Sequence, residues 1–361
     1  MPEKLKDILM PADQIGELAN ALHSVYPEFD VNRFTNQVFD QEWAHRELKQ
    51  KMRHITICLK QNLPDNYKAA ISILEKVAPK FRSFIALSFS DFVECYGMDH
   101  WDISMNALTI FTCSCSSEFA VRPFLDKNPE KTMEYFYRWA NDENEHIRRL
   151  SSEGCRPRLP WGMVLRKFRK DPSPILPILE KLKNDPSEYV RKSVSNNLND
   201  ISKDHPEVVL SLCEKWKGQS KETDRIIKHA CRSMLKNGRQ RALMLFGFAN
   251  PDQLQVSSLS AENQELKIGE HLEFSFCLKN LSVEPQTVRL EYRIHYMKAT
   301  GKTSPKIFQI SEGKFRSGEH LITKRQAFTD YTTRKHFAGE HRLEIVVNGE
   351  TKAAIAISLI K

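Results

Sequence analysis

The sequence predicts an all-α HEAT-like repeat solenoid over residues 1–250, followed by an all-β immunoglobulin-like sandwich over residues 254–361. Three observations carry that prediction. Up to about residue 250, apolar residues recur at helical spacing, and segments end at Pro, Gly or Asn-Asp signals. Within that region a segment repeats at an offset of 43 residues, inside the range of HEAT-like helix pairs. From residue 254 the period changes to two, as in half-buried strands. A length of 361 residues suits about two domains.

The repeat is read from Asn141-Asp142-Glu143-Asn144-Glu145-His146-Ile147-Arg148-Arg149 against Asn184-Asp185-Pro186-Ser187-Glu188-Tyr189-Val190-Arg191-Lys192. A weaker copy begins at Asp224-Arg225-Ile226, and a fainter one is Glu118-Phe119-Ala120-Val121-Arg122. Each copy is expected to start a second helix after a turn, with 132–140 and 174–183 in the outer row. Stacked pairs then expose their second helices on one concave face. Asn250-Pro251-Asp252 reads as the linker. Beyond it, Leu272, Phe274, Phe276 and Leu278 alternate, as do Val288, Leu290, Tyr292, Ile294 and Tyr296. Leu343, Ile345 and Val347 run into Asn348-Gly349, a strong hairpin-turn signal. About seven strands fit a two-sheet sandwich.

Charge is unevenly placed. The net formal charge is +8, yet residues 1–144 carry −5, 145–250 carry +10 and 251–361 carry +3. A concentrated positive field suits an anionic partner, nucleic acid first, or else serves solubility. The eight cysteines show no CxxC pair, so neither a zinc site nor a disulfide framework is indicated. Cys113 and Cys115 read as buried free thiols in a helical stretch. No apolar run reaches the ~18 residues of a membrane span, and residues 1–7 lack a signal-peptide core. A soluble cytoplasmic protein is expected.

Stepping by 3.6 residues from Glu145 puts Arg149, Ser152, Glu153 and Arg156 on one helical face. The next copy adds Lys192, Asn196, Asp200 and Lys203, and the third His229, Ser233 and Lys236. This is a basic stripe interrupted by the carboxylates Glu153 and Asp200. Arg148 and Arg191 fall one residue before the stripe, where pairing with the turn acids Asp142 and Asp185 is expected. After Glu153, Pro157 and Pro160 stop the helix and form a rigid turn presenting Arg156, Arg158 and Trp161. Arginines there suit phosphates, and Trp161 is either a flat face for a base or sugar or a plug in the core.

Ser152-Glu153-Gly154-Cys155-Arg156-Pro157-Arg158-Leu159-Pro160-Trp161 resembles the Glu-Gly-x-Arg-Pro-Arg-Leu-Pro-Trp signature of AlkC-type DNA alkylation repair glycosylases, which are HEAT-like repeat enzymes. Leu48-Lys49-Gln50-Lys51-Met52-Arg53-His54-Ile55 is similar to that family's N-terminal helix. Asp171-Pro172-Ser173-Pro174 and the run from Asp185 to Pro206 resemble its later repeats. Some members carry an immunoglobulin-like C-terminal domain, as expected here.

The resemblance implies hydrolysis of the N-glycosidic bond of a cationic alkylated base, such as 3-methyladenine or 3-methylcytosine, in duplex DNA. Family members are thought to grip the backbone without fully flipping the base. Glu153 is the first choice for stabilising the oxocarbenium-like sugar, with Glu118 and Asp200 on neighbouring second helices as the other acids. Arg149, Arg156 and Arg158 would neutralise phosphates, with Lys192 and Lys203 extending the track. No lysine stands out as a Schiff-base nucleophile, so strand cleavage is not expected. No cofactor or metal is expected, and a monomer is. A bacterial cytoplasm, on the nucleoid when bound to DNA, would be its place. Lys324-Arg325 and Arg334-Lys335 of the sandwich either close over the far side of the DNA or belong to a stabilising appendage. The rival class is a non-catalytic scaffold, which needs the basic stripe but not the acids.

Overall fold

The computed structural model describes residues 10–330 and 335–360. Residues 1–7 and Arg334 therefore lie outside the described residues. Sixteen α-helices precede eight strands among those described. The helices are α1 (Ala12–Val25), α2 (Val31–Val38), α3 (Leu48–Asn62), α4 (Tyr67–Val77), α5 (Leu87–Tyr96), α6 (Trp101–Thr112), α7 (Arg122–Lys127) and α8 (Pro129–Trp139). They continue with α9 (Glu145–Glu153), α10 (Arg166–Lys170), α11 (Leu176–Leu182), α12 (Glu188–Ile201), α13 (Pro206–Trp216), α14 (Lys221–Ala230), α15 (Arg232–Lys236) and α16 (Gln240–Leu245).

The repeat is realised as two helix pairs, α8/α9 and α11/α12, with α9, α12 and α14 packed side by side in one row. Local chemistry sets their ends. Asn128 caps α8 by accepting from the Lys131 N–H, and Pro129 supplies the fixed φ of a first helical residue. Asn144 caps α9 by accepting from the His146 N–H at 2.9 Å. In α12, Val190, Val194, Leu198 and Ile201 are buried at helical spacing. Arg148 links the two repeats: its Nε and Nη2 donate to Asp185 at 2.7 and 3.0 Å, while Nη1 donates to the carbonyls of Asp142 and Glu143. The expected acid is thus one repeat further on. Arg191 donates to the carbonyls of Asp185 and Pro186, so it closes its own turn instead of pairing with a carboxylate.

Three expectations change. Glu118 lies in the turn before α7, not on a second helix, because the Ser116–Ser117 break ends that stretch. The third copy stops at Ala230 and a new helix starts at Arg232, so Ser233 and Lys236 do not continue the His229 face. Cys113 and Cys115 follow the end of α6 and are only partly buried; all eight thiols are free.

By packing, the chain divides into one unit of residues up to Val209 with Trp216–Ala230, and a second of Leu210–Lys215 with Cys231–Lys361. Helices α15 and α16 therefore group with the sandwich by packing, while the change from helices to strands falls between Leu245 and Leu254, as expected. The expected linker is a 3-10 turn, Pro251–Gln253, with Pro251 buried. The Asn348 side-chain amide donates to the Ala249 carbonyl at 2.8 Å, which fixes this segment.

The strands are β1 (Leu254–Ala261), β2 (Glu265–Lys267), β3 (His271–Asn280), β4 (Gln286–Met297), β5 (Thr303–Phe315), β6 (Gly318–Ala327), β7 (Gly339–Val347) and β8 (Glu350–Ile360). They form sheets of order β1-β3-β6 and β2-β8-β7-β4-β5. The alternating residues of β3 and β4 build the core, with Phe274, Phe276, Leu290 and Ile294 fully buried. Val347 pairs with Glu350, so Asn348-Gly349 is the two-residue turn foreseen, with φ of 47° and 81°. The short parallel β2 is the strand in excess of seven.

Candidate active site

Helix α9 ends at Gly154, and its last residue, Glu153, is 4 % exposed. A buried carboxylate is tolerable only when it is paired and hydrogen-bonded. Glu153 Oε1 accepts from Arg156 Nη1 at 2.6 Å, with Arg149 Nη2 at 3.5 Å, and Oε2 accepts from Ser193 Oγ at 2.6 Å. Arg149 Nη1 also donates to Glu118 Oε2 at 2.9 Å and to Ser116 Oγ at 3.1 Å. Both side-chain donors to Glu118 fall on Oε2. The Arg149 guanidinium lies 4.4 Å from the centre of the Tyr189 ring. Burial lowers the pKa of Arg149, but Glu153 and Glu118 outweigh it and the net shift is upward. Arg156 follows the same pattern, with Glu153 and Asp200 overcoming burial. Both stay cationic.

These groups border a cavity of about 550 Å³, lined by Glu118, Arg149, Glu153, Arg156, Trp161 and Tyr189 among others. Two carboxylates, two guanidiniums and two aromatic rings therefore converge from α9, α12 and the two turns at 113–119 and 154–163. An acid set this way offers fixed negative charge to a cation forming in the cavity. Among the described residues, no group of three His, Cys, Asp or Glu side chains is placed to hold a metal ion.

The structure separates the three acids proposed from sequence. Glu153 and Glu118 reach the cavity. Asp200 does not line it: Oδ2 accepts from Arg156 Nε at 2.8 Å and Oδ1 from Lys203 Nζ at 3.1 Å, with the residue buried. Asp200 orients Arg156 from behind. The arginines change role as well. Arg156 is buried between Glu153 and Asp200, and the half-buried Arg149 lies between Glu118 and the same Glu153, so both hold acids in place where phosphate contacts were expected. Arg158 grips Asp204 through both carboxylate oxygens, at 2.9 and 2.7 Å, and Arg158 with Arg169 holds the Asp204 carboxyl far below its usual range. Lys192 and Lys203 are exposed, and Lys203 Nζ pairs with Asp200 at 3.1 Å.

Trp161 is 71 % exposed and has a φ of 61°, which disposes of the core plug. Its carbonyl accepts from Lys49 Nζ at 2.9 Å, and that ammonium also sits 4.7 Å from the Phe119 ring centre. Lys49, Tyr189, Ser193 and Arg122 are site residues that sequence reasoning missed. Tyr189 had a signal: it stands 43 residues after His146, and the two rings meet at 5.8 Å. Arg122 had another, being a lone cation between Ala120-Val121 and Phe124-Leu125.

Residues 255–361 match the C-terminal Ig-like domain described for the uncharacterised protein YhaZ. The Bacillus subtilis (strain 168) protein of that name is 46 % identical over 342 residues, covering 94 % of this chain and 95 % of the relative. The alkylpurine DNA glycosylase AlkC of Pseudomonas fluorescens, solved bound to DNA containing an abasic site analog, superposes with a TM-score of 0.93. It is 37 % identical, with 99 % of this chain and 100 % of that one covered. The model of the DNA alkylation repair enzymes matches residues 35–234, and with more than half of its length so matched, the chain belongs to the DNA alkylation repair enzyme family.

Proposed function

We propose that the chain is a monofunctional DNA glycosylase, acting as a monomer on duplex DNA, that hydrolyses the bond between deoxyribose and a base made cationic by alkylation. The observation that carries this is the Glu153 carboxylate, buried, held by Arg156 and Ser193, and facing a cavity that a second acid also borders. Bases of the 3-methyladenine and 3-methylcytosine type already carry positive charge. They leave as neutral molecules with the electron pair of the glycosidic bond, so no strong acid is needed. The cation then forms on the sugar. Glu153 stabilises it and positions a water that adds to C1′, taking the proton the water loses; Glu118 supplies further negative charge across Arg149.

The similarity to a glycosylase captured on an abasic site analog supports the same reading, because an abasic site is what such hydrolysis leaves. The lysine lining the cavity, Lys49, donates its Nζ to the Trp161 carbonyl, which supports simple hydrolysis over an amine-linked intermediate. Lys192 and Lys203 track the backbone, and the exposed Trp161 ring packs on the nucleotide beside the lesion, so the base leaves without being fully swung into a pocket.

A base-release assay on methylated duplex DNA, with the released bases identified by chromatography, tests this. The wild type releases both methylated bases without cutting the strand. Glu153→Gln keeps duplex affinity and loses about 10²–10³-fold in single-turnover rate. Release by Glu153→Gln at the wild-type rate, or none by the wild type, overturns the proposal.

A further inference from the structure

Arg122 is fully buried and, among the described residues, has no carboxylate partner. A guanidinium in that position is costly unless its donors are satisfied. All its hydrogen bonds go to backbone carbonyls of one segment: Nη1 to Gly154 at 2.9 Å, Nη2 to Arg156 at 2.9 Å and Nε to Met163 at 2.6 Å. That segment is the turn that follows Glu153 and carries Arg156 and Trp161. The planar fork reaches three carbonyls, separated by up to nine positions in sequence, from three different nitrogens, whereas an ammonium would have to reach them all from one.

The turn needs such a hold. Trp161 adopts a left-handed φ of 61°, which a bulky residue takes only when its surroundings impose it. Next to it, a Cβ on Gly162 would come 3.0 Å from Leu159 Cδ2 and 3.3 Å from Arg122 Nε, so the fork packs directly beneath the ring-bearing residue. Burial draws the Arg122 pKa down to about 10, still well above neutrality, so the fork keeps its five N–H groups.

We propose that Arg122 is the positioning residue of the site: its buried fork fixes the carbonyls of Gly154, Arg156 and Met163, and thereby sets where the Arg156 guanidinium and the Trp161 ring stand against Glu153. The proposal rests on the glycosylase reading for its effect on rate, and its effect on Trp161 is independent of that reading. Arg122 touches neither substrate nor reacting atoms.

The test compares Arg122→Lys with the wild type in two measurements. The first is single-turnover base release alongside duplex affinity. The second is acrylamide quenching of tryptophan fluorescence, with Trp161→Phe as the reference; Trp161 is the exposed one of five tryptophans. Arg122→Lys keeps the charge, lowers the release rate about 10–100-fold, leaves duplex affinity within about threefold, and changes the quenching of the Trp161 component. A variant of unchanged rate and unchanged quenching overturns the inference, as does one that loses only thermal stability. Should Arg122→Lys fail to fold, Gly162→Ala decides: pressing on the fork from the Trp161 side, it gives the same two changes, or the inference falls. If the wild type releases no base, the glycosylase reading fails, and the quenching comparison still judges Arg122.

Discussion

In the helical unit, Arg156 meets Glu153 at 2.6 Å and Asp200 at 2.8 Å; in the sandwich unit, Arg289 meets Glu291 at 2.8 Å and Glu312 at 3.0 Å. Each is an arginine between two acids, and the surroundings differ. Around Arg156, Ser193 and Lys203 complete the carboxylates, and among the described residues only Asn197 Oδ1 nearby stays buried without a partner. Around Arg289, both its own Nε and Glu291 Oε2 are buried and unbonded. The pKa shifts follow. The carboxylates outweigh burial at Arg156, whereas burial outweighs Arg289 at Glu291 and raises that carboxyl. A network finished with donors holds its charge in one geometry, as a site facing a cavity must. The sandwich draws its stability from the apolar faces of β3 and β4, and tolerates an unfinished pair.

The sharpest way to break this contrast is to remove the arginine in each place. Arg156→Met leaves Glu153 and Asp200 buried without their shared cation and should cost about 3–5 kcal/mol of stability, read from denaturant unfolding of the helical unit. Arg289→Met removes a pair that is already incompletely bonded and should cost clearly less. Equal losses would mean that bonding around the pair does not decide its worth.

Both regions show what a sequence discloses. Periodicity placed the change of fold in the right region of the chain, because the helical and strand patterns of Val190-Val194-Leu198 and Leu272-Phe274-Phe276-Leu278 each answer to one buried face. Glu153 was legible as an acid ending a helix before Pro157. What stayed hidden are relations between distant segments. Helical spacing puts Arg149, Arg156 and Asp200 on one stripe, but does not say that Glu118 and Asp200, 31 and 44 residues away, meet those arginines directly. Arg122 showed only as a lone cation in an apolar stretch, since its carbonyl partners carry no side-chain signature. The change from helices to strands falls where expected, after Leu245 and before Leu254, and what stayed hidden is that packing groups α15 and α16 with the sandwich.

That assignment can be sharpened at a single contact. Gly238 follows α15 and Gly349 sits in the β7–β8 turn, and a Cβ on Gly349 would fall 2.4 Å from Gly238 Cα. Both residues have left-handed φ, at 68° and 81°. Gly247, with φ of 72°, has nothing within 4 Å of its Cβ position. Gly247→Ala therefore carries the conformational cost alone, about 1–2 kcal/mol. Gly349→Ala carries that cost and must also push the Gly238 and Gly349 backbones apart, so its unfolding midpoint should drop further, with the difference measuring how firmly α15 is seated on the turn. Identical drops would separate the helices from the sandwich unit.

The smallest effect concerns His341, and it works through protons. The ring is 1 % exposed and packs against Tyr296 and Phe328 at 5.9 and 5.7 Å. Its Nδ1 faces the Gly339 carbonyl at 3.1 Å, and Nε2 has no partner. Burial lowers its pKa below 6.5; the Gly339 carbonyl opposes this and His336 adds to it. The unfolded chain therefore takes up the proton first as pH falls. The stabilising contribution is complete above the unfolded value of 6.5 and is lost progressively below it, down through the lower folded value. Protection of β7 and β8 amides against hydrogen exchange, corrected for intrinsic rates, should thus decline as pH drops below that value. His341→Phe fills the same aromatic cluster with a ring that does not titrate and should flatten the decline. An equally steep decline in the variant would show that His341 is not the group that takes up the proton.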